Sequence, residues 1–235
     1  NQINERIYLP LETSFQQLKE DCGDFCYVNR KNVFYFSLYD RVYAYNITSR
    51  QYTVLTRNAS SGNFAMLEKA KCFVWSNATS QKSATRITIL DLETEQSRTV
   101  SAKKNQSIKV LGAIDSSVVY GFVRNSDIYN SQEGERISPV YKLIIADSHG
   151  DILKEYETKN VYIIKTVVDK DIIQLKRVRK IGQNFKKISD DSIQHQQDNK
   201  AKSFDLASRV TDKMLTEKYI SLPAGFVMKG EPKIT

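Results

Sequence analysis

The run Lys176-Arg177-Val178-Arg179-Lys180, followed by Lys186-Lys187, is the densest concentration of one charge in the chain. Guanidinium and ammonium groups so close together hold anions, such as an anionic cell-envelope polymer or lipid headgroups. On a strand, alternation puts Arg177 and Arg179 on one face with Ile173 and Leu175, and Lys176 and Lys180 on the other. Charge on both faces means that at least one face is wet. The plainer reading is an edge strand on which Lys and Arg block pairing with another chain. Both readings stay open. Residues 159–202 hold eleven Lys/Arg against five Asp/Glu, within a chain of net charge +8. No glycine-rich or helix-turn-helix element accompanies the charge, so no nucleic-acid partner is expected.

Other reactive residue types are sparse. His149 falls in the turn Asp147-Ser148-His149-Gly150, and His195 in the polar stretch Gln194-His195-Gln196-Gln197. Neither sits in a nucleophile pattern, and no Gly-x-Ser-x-Gly elbow occurs, so no catalytic residue is assigned and the chain is not expected to be an enzyme. The carboxylates Asp190-Asp191 and Asp169/Asp171 lack the spaced ligands of a calcium loop. Cys22 and Cys26 are four apart in Asp-Cys-Gly-Asp-Phe-Cys, which is neither a redox Cys-x-x-Cys nor half of a zinc site. An oxidising compartment would close them into a small disulfide, and a reducing one would leave two thiols. Cys72, before Phe-Val-Trp, reads as a small core residue. No metal site and no cofactor are expected. Asn46, Asn58, Asn77 and Asn105 each begin an Asn-x-Ser/Thr sequon, and turn chemistry accounts for Asn46 and Asn77.

These residues must be positioned by β-structure. The chain has 235 residues, 40% apolar and 26% charged, with 13 Tyr and 10 Phe, a composition suited to half-buried pleated surfaces. No apolar run approaches the roughly 20 residues of a membrane helix. Three hairpins repeat, at 41–55, 86–100 and 141–156, each with a polar turn beginning Asn46, Asp91 or Asp147. Strand pairs at 63–75 and 108–123 lie between them. The recurrence every 45 to 55 residues or so is that of four-stranded propeller blades.

Four units follow: 24–57, 62–102, 107–158, and a fourth with strands at 162–168, 171–180 and 185–188. In the fourth, 189–202 reads as an exposed loop and 203–222 as the source of a last strand. Arg6–Pro10 reads as a strand and Glu12–Glu20 as a short helix. The expected fold class is all-β and propeller-like, with about four four-stranded antiparallel blades, one domain over 1–222 and an extended tail over 223–235. The long loops 77–85, 124–138 and 189–202 are the expected binding loops, with Arg124, Tyr129 and Arg136 as the first contact residues.

Several stretches resemble a known group. Val118–Asp127, Pro139–Lys142, Ala146–Lys154 and Ile188–Asp191 are similar to propeller domains of clostridial cell-envelope proteins of unknown function. The resemblance spans roughly residues 30–195. It implies an extracytoplasmic, membrane-anchored domain that carries no catalytic residues. The chain starts at Asn1 rather than Met, and the anchor is expected in a segment absent from it. The expected function is binding or scaffolding for a protein or an anionic envelope polymer. The rival readings are a hydrolase or lyase working in the central pocket, and a sensory ectodomain.

Overall fold

The computed structural model describes residues 25–195 apart from 58–62, 80–81, 132 and 170, three isolated positions before them, and two strands within 205–221. The expected strand 6–10 and tail 223–235 lie outside the described residues, as do Cys22 and most of the expected helix 12–20, of which Gln16 and Lys19 are described and helical. The chain divides into compact units at 1–195 and 196–235.

The first unit is propeller-like and all-β, as the hairpin repeat requires. Its first blade is a four-stranded antiparallel meander of β1 (Cys26–Val28), β2 (Val33–Leu38), β3 (Arg41–Asn46) and β4 (Gln51–Thr56). The second is β5 (Phe64–Leu67), β6 (Cys72–Ser76), β7 (Arg86–Asp91) and β8 (Ser97–Ser101). The third begins with β9 (Gln106–Ile114) and β10 (Ser117–Arg124). A small hairpin of β11 (Tyr129–Asn130) and β12 (Arg136–Ile137) follows, and then β13 (Val140–Ala146) and β14 (Ile152–Glu157) complete the blade. The fourth is built from β15 (Val161–Asp169), β16 (Ile172–Ile181), β17 (Asn184–Lys187) and β18 (Asp191–Gln194), and the pairing Val140↔Ile163 between β13 and β15 joins blades three and four into one eight-stranded sheet.

The fourth blade departs from the expected pattern. Residues 191–194 form β18, not loop, and pair with the first half of β16 while β17 pairs with the second half. The register slips by one between Val178↔Lys187 and Leu175↔Asp191, so β17 and β18 behave as one strand broken by a bulge. The polar sequence of 189–194 hides this, because an outer strand keeps little apolar surface. Residues 203–222 hold two strands, β19 (Asp205–Val210) and β20 (Thr216–Ser221), paired with each other in the second unit.

Cores form between neighbouring blades, because each sheet buries alternate residues on both faces. Phe25, Tyr35, Val42, Phe73 and Leu92 join blades one and two, while Leu67, Val74, Ile87, Ile108 and Ile144 join blades two and three. Val119, Leu143, Ile163, Ile173 and Leu175 join blades three and four. Two glycines permit close approach, one at this junction and one within blade three. Gly112, at φ +145°, has no Cβ to meet Val168, and Gly121 lies directly under Val140.

The three repeated turns are the same device. The side-chain oxygen of Asn46 accepts from the N–H groups of Thr48 and Ser49, at 3.0 and 2.9 Å. Asp91 accepts from Glu93 and Thr94 at 2.8 and 2.9 Å, and Asp147 from His149 and Asp151 at 2.8 and 2.9 Å. A carboxylate or amide oxygen thus satisfies backbone donors that the ladder leaves free. Asn77 works likewise, accepting from Thr85 and Arg86 and so closing the 77–85 loop at its base.

Candidate functional site

Because the strands are antiparallel, connections alternate between two ends of the blades. One end carries the repeated turns and the β1–β2, β5–β6, β9–β10 and β15–β16 connections. The other carries 39–40, 77–85, 102–105, 125–139, 158–160 and 182–183. The charges segregate accordingly. Among the described residues of blades two to four the first end presents Glu68, Asp91, Glu93, Glu95, Asp115, Asp147, Asp151, Asp169 and Asp171, with Lys69, Lys71, Arg98 and Lys154 as cations; Arg30, Lys31 and Arg50 lie at the same end of blade one. Among the described residues the second end presents Arg41, Arg57, Lys82, Arg86, Lys103, Lys104, Arg124, Arg136, Lys159, Lys186 and Lys187, against Asp40, the buried Asp127, Glu133, Glu135 and Glu157.

The run on β16 is dismantled by its surroundings. Ile173 and Leu175 are buried on one face, and Arg177 continues that face. The Arg177 guanidinium donates to Asp191 at 2.6 Å, to the Tyr156 hydroxyl at 2.8 Å and to the Ser189 carbonyl at 3.0 Å. Asp191 is held below the usual carboxylate range by the Ser192 N–H first, then by Tyr156 and Arg177. Lys180 reaches to the other side and donates to Asp127 at 2.5 Å. Lys176 and Arg179 remain exposed, with no ion pair among the described residues. The four residues therefore do not make one anion-binding face: two fasten the blade, and two face solvent.

Asp127 is the centre of that fastening. It sits in a single 3-10 turn, 125–127, after β10, and is 5% exposed. Its other oxygen accepts from the Tyr162 hydroxyl at 2.8 Å, and Arg124 lies 4.0 Å away. Burial alone pushes this carboxyl up, but the hydrogen bonds from Lys180 and Tyr162 outweigh it and leave the carboxyl below its ordinary range. Arg124 also donates to Tyr162 and stacks over the Tyr141 ring at 3.9 Å. Tyr129 stacks on Phe185 with centroids 4.5 Å apart and planes 12° apart, and Phe185 meets Tyr162 edge-on. An open groove of about 770 Å³ runs beside this stack, lined by Tyr129, Glu133, Glu135, Asn184, Phe185 and Lys187 among others. Of the residues expected to make first contacts, Arg124 and Tyr129 thus come together with Lys180. Arg136 lies apart, on β12, beside a smaller cavity between blades two and three. Sequence reading missed Asp127, Tyr162 and Phe185.

His195 is also not where a polar stretch suggests. It is 9% exposed at the end of β18, with Nε2 3.4 Å from the hydroxyl of the fully buried Ser117. This is a Ser–His contact sealed inside the blade junction, and neither residue lines the groove or the cavity. Burial first, and Lys154 second, hold the imidazole below its ordinary pKa, against smaller upward pulls from Asp115 and Asp171. The folded chain therefore binds this proton less readily than the unfolded chain, where a histidine titrates near about 6.5. The associated stability is complete above that pH and is lost as pH falls through it toward the lower folded value. Urea unfolding at a series of pH values should show the midpoint falling from about pH 7 to pH 5. His195→Gln should flatten that part of the profile, and an unchanged slope would refute the assignment.

Cys26 is exposed, and Cys72 is buried, with its thiol pushed up to about 11 by burial. Such a thiol is a core residue with little nucleophilic character at neutral pH. No group of metal-ligating side chains occurs among the described residues, and no helix among them is long and apolar enough to cross a membrane.

No family model and no curated protein matches the chain. Among solved structures it is similar to the β-propeller domain of the Trilobed protease from Pyrococcus furiosus, with TM-score 0.39 and 15% identity over 87% of this chain and 70% of that one. It is similar to an acylaminoacyl peptidase from Pyrococcus horikoshii, with TM-score 0.31 and 11% identity over 70% of this chain and 32% of that one. It also resembles the extracellular domain of a putative one component system from B. thetaiotaomicron, with TM-score 0.27 and 10% identity over 83% and 36%. The repeated antiparallel four-strand units described above are what define the chain as propeller-like.

Proposed function

We propose that this chain is a non-catalytic, extracytoplasmic binding domain of the cell envelope, anchored to the membrane by a segment outside it, whose basic end engages an anionic polymer. The observation that carries the reading is the segregation of charge between the two ends of the blades. Lys103, Lys104, Lys186 and Lys187 are exposed at the basic end, and no ion pair among the described residues neutralises them. Cations arrayed on one side concentrate a polyanion and release its counterions on contact.

The test is retention of the native domain on heparin and on teichoic-acid surfaces across a salt series. Binding should weaken steeply as salt rises. The variant Lys103→Gln/Lys104→Gln/Lys186→Gln/Lys187→Gln should elute at much lower salt, with its salt dependence reduced by about one unit per lost contact. Its thermal unfolding should stay unchanged, because these side chains hold nothing else. Substituting Lys176, Arg177, Arg179 and Lys180 together is the wrong control, since Arg177 and Lys180 fasten the fourth blade. Salt-insensitive retention, or no retention at all, would overturn the reading.

A further inference from the structure

Among the described residues, three cations meet at one cavity and no carboxylate does. The cavity, about 200 Å³, lies between blades two and three. Lys82 comes to it from the 77–85 loop, Lys109 from β9 and Arg136 from β12. Hydroxyls fill most of the remaining wall: Ser76, Thr79, Ser83, Ser107 and Ser138. Among the described residues, none of the three cationic side chains makes an ion pair or a hydrogen bond. Ser107 adds a second, independent sign. The residue is 3% exposed, yet its hydroxyl has no partner among the described residues. A buried hydroxyl is normally satisfied, because leaving it unpaired is costly. Lys109 is exposed on β9, yet the protein around it desolvates its ammonium enough to hold it below the usual lysine range, with no acid to offset it.

Like charges gathered without counter-charge repel one another, and the arrangement is relieved by an anion between them. We propose that the cavity is a binding site for a tetrahedral oxyanion, a phosphoryl or sulfuryl group, either free or at the end of a larger molecule. Lys82, Lys109 and Arg136 supply the charge, and Ser107 with its neighbouring hydroxyls supplies neutral donors to the remaining oxygens. The volume falls below the roughly 300–1,000 Å³ of pockets for drug-sized ligands, so it admits the anionic group and little of what carries it. The site goes beyond polymer binding: it is a recess for one group, whereas Lys103 and Lys104 lie outside it on the open surface.

The experiment is a titration of the whole chain with inorganic phosphate, sulfate and glycerol phosphate, followed by calorimetry and amide chemical shifts, against sodium chloride of equal ionic strength. Phosphate or sulfate should bind at one site and shift amides of 107–109 and 136–138. Arg136→Gln and Lys109→Gln should each weaken that binding about tenfold to a hundredfold, the range for losing one charge-assisted hydrogen bond. Ser107→Ala should weaken it less, and all three variants should keep the native amide spectrum elsewhere. Tighter binding of glycerol phosphate than of inorganic phosphate would assign the site to a phosphorylated molecule; the reverse would assign it to the free ion. Lys103→Gln/Lys104→Gln should leave phosphate affinity untouched while lowering polymer retention, so the two readings can fail separately. Phosphate effects no larger than those of chloride, or equal weakening by Arg57→Gln, which lies outside the cavity, would overturn the proposal.

Discussion

Asp127→Ala is expected to destabilise the domain by about 3 kcal/mol, the scale for removing one member of a buried charged pair. The carboxylate is nearly sealed, and it satisfies the Tyr162 hydroxyl and the Lys180 ammonium together. Without it, the tyrosine loses its acceptor in a buried setting, and two cations, Lys180 and Arg124, face each other across the space. Lys180→Met should cost less, because Lys180 is the more exposed partner and Tyr162 and Arg124 still serve Asp127. The double variant should be less destabilised than the sum of the singles, as contacting residues require. Urea unfolding of the three variants measures this. There is also a signature in pH. The Asp127 carboxyl is depressed on folding, so its contribution is present above the unfolded value near about 3.9 and disappears as pH falls through the lower folded value. A fully stable Asp127→Ala variant would refute the role.

The second large effect belongs to Gly121. A Cβ built there would lie 2.5 Å from Val140 Cγ1 and 3.1 Å from Leu111 Cδ1. Val140 is buried and β-branched, so it has no free rotamer into which to withdraw. Gly121→Ala should therefore cost about 2 kcal/mol through overpacking, and Gly121→Val more. Val140→Ala, destabilising alone because it opens a cavity, should recover part of the loss when combined with Gly121→Ala. Thermal unfolding of the four proteins decides it: an unshifted Gly121→Ala midpoint would show that the sheet relaxes without cost.

The first three blades were legible because their signals are local. Asn46, Asp91 and Asp147 stand where an oxygen is needed to close a turn, and the flanking strands alternate clearly. The fourth blade was less legible. Its outer strand runs through Ser189-Asp190-Asp191-Ser192, a sequence suited to a loop, and only pairing with β16 makes 191–194 a strand. His195 was misplaced for the same reason, since Ser117 is 78 positions away and nothing near His195 announces its burial. The basic run on β16 was visible as charge, but what binds it was not. Asp127 reads as an ordinary turn residue in Asn-Ser-Asp, and its partners lie 35 and 53 positions further on. Lys82, Lys109 and Arg136 come together only through the packing of two blades, so no spacing in the sequence could reveal their cavity.

The sorting of charge between the ends of the blades also acts before any contact is made. In blades two to four, the excess of acidic groups at one end and of basic groups at the other gives those blades a dipole along the strands. Near an anionic surface that dipole experiences a torque, which turns the basic end inward and the repeated Asn and Asp turns outward. The field that exerts it extends about 8 Å at physiological ionic strength and about 3 Å in 1 M salt. If the basic end engages such a surface as proposed, collisions at low salt are already oriented and a larger share of them succeed. Added salt should accordingly slow capture, and not only loosen what has been captured.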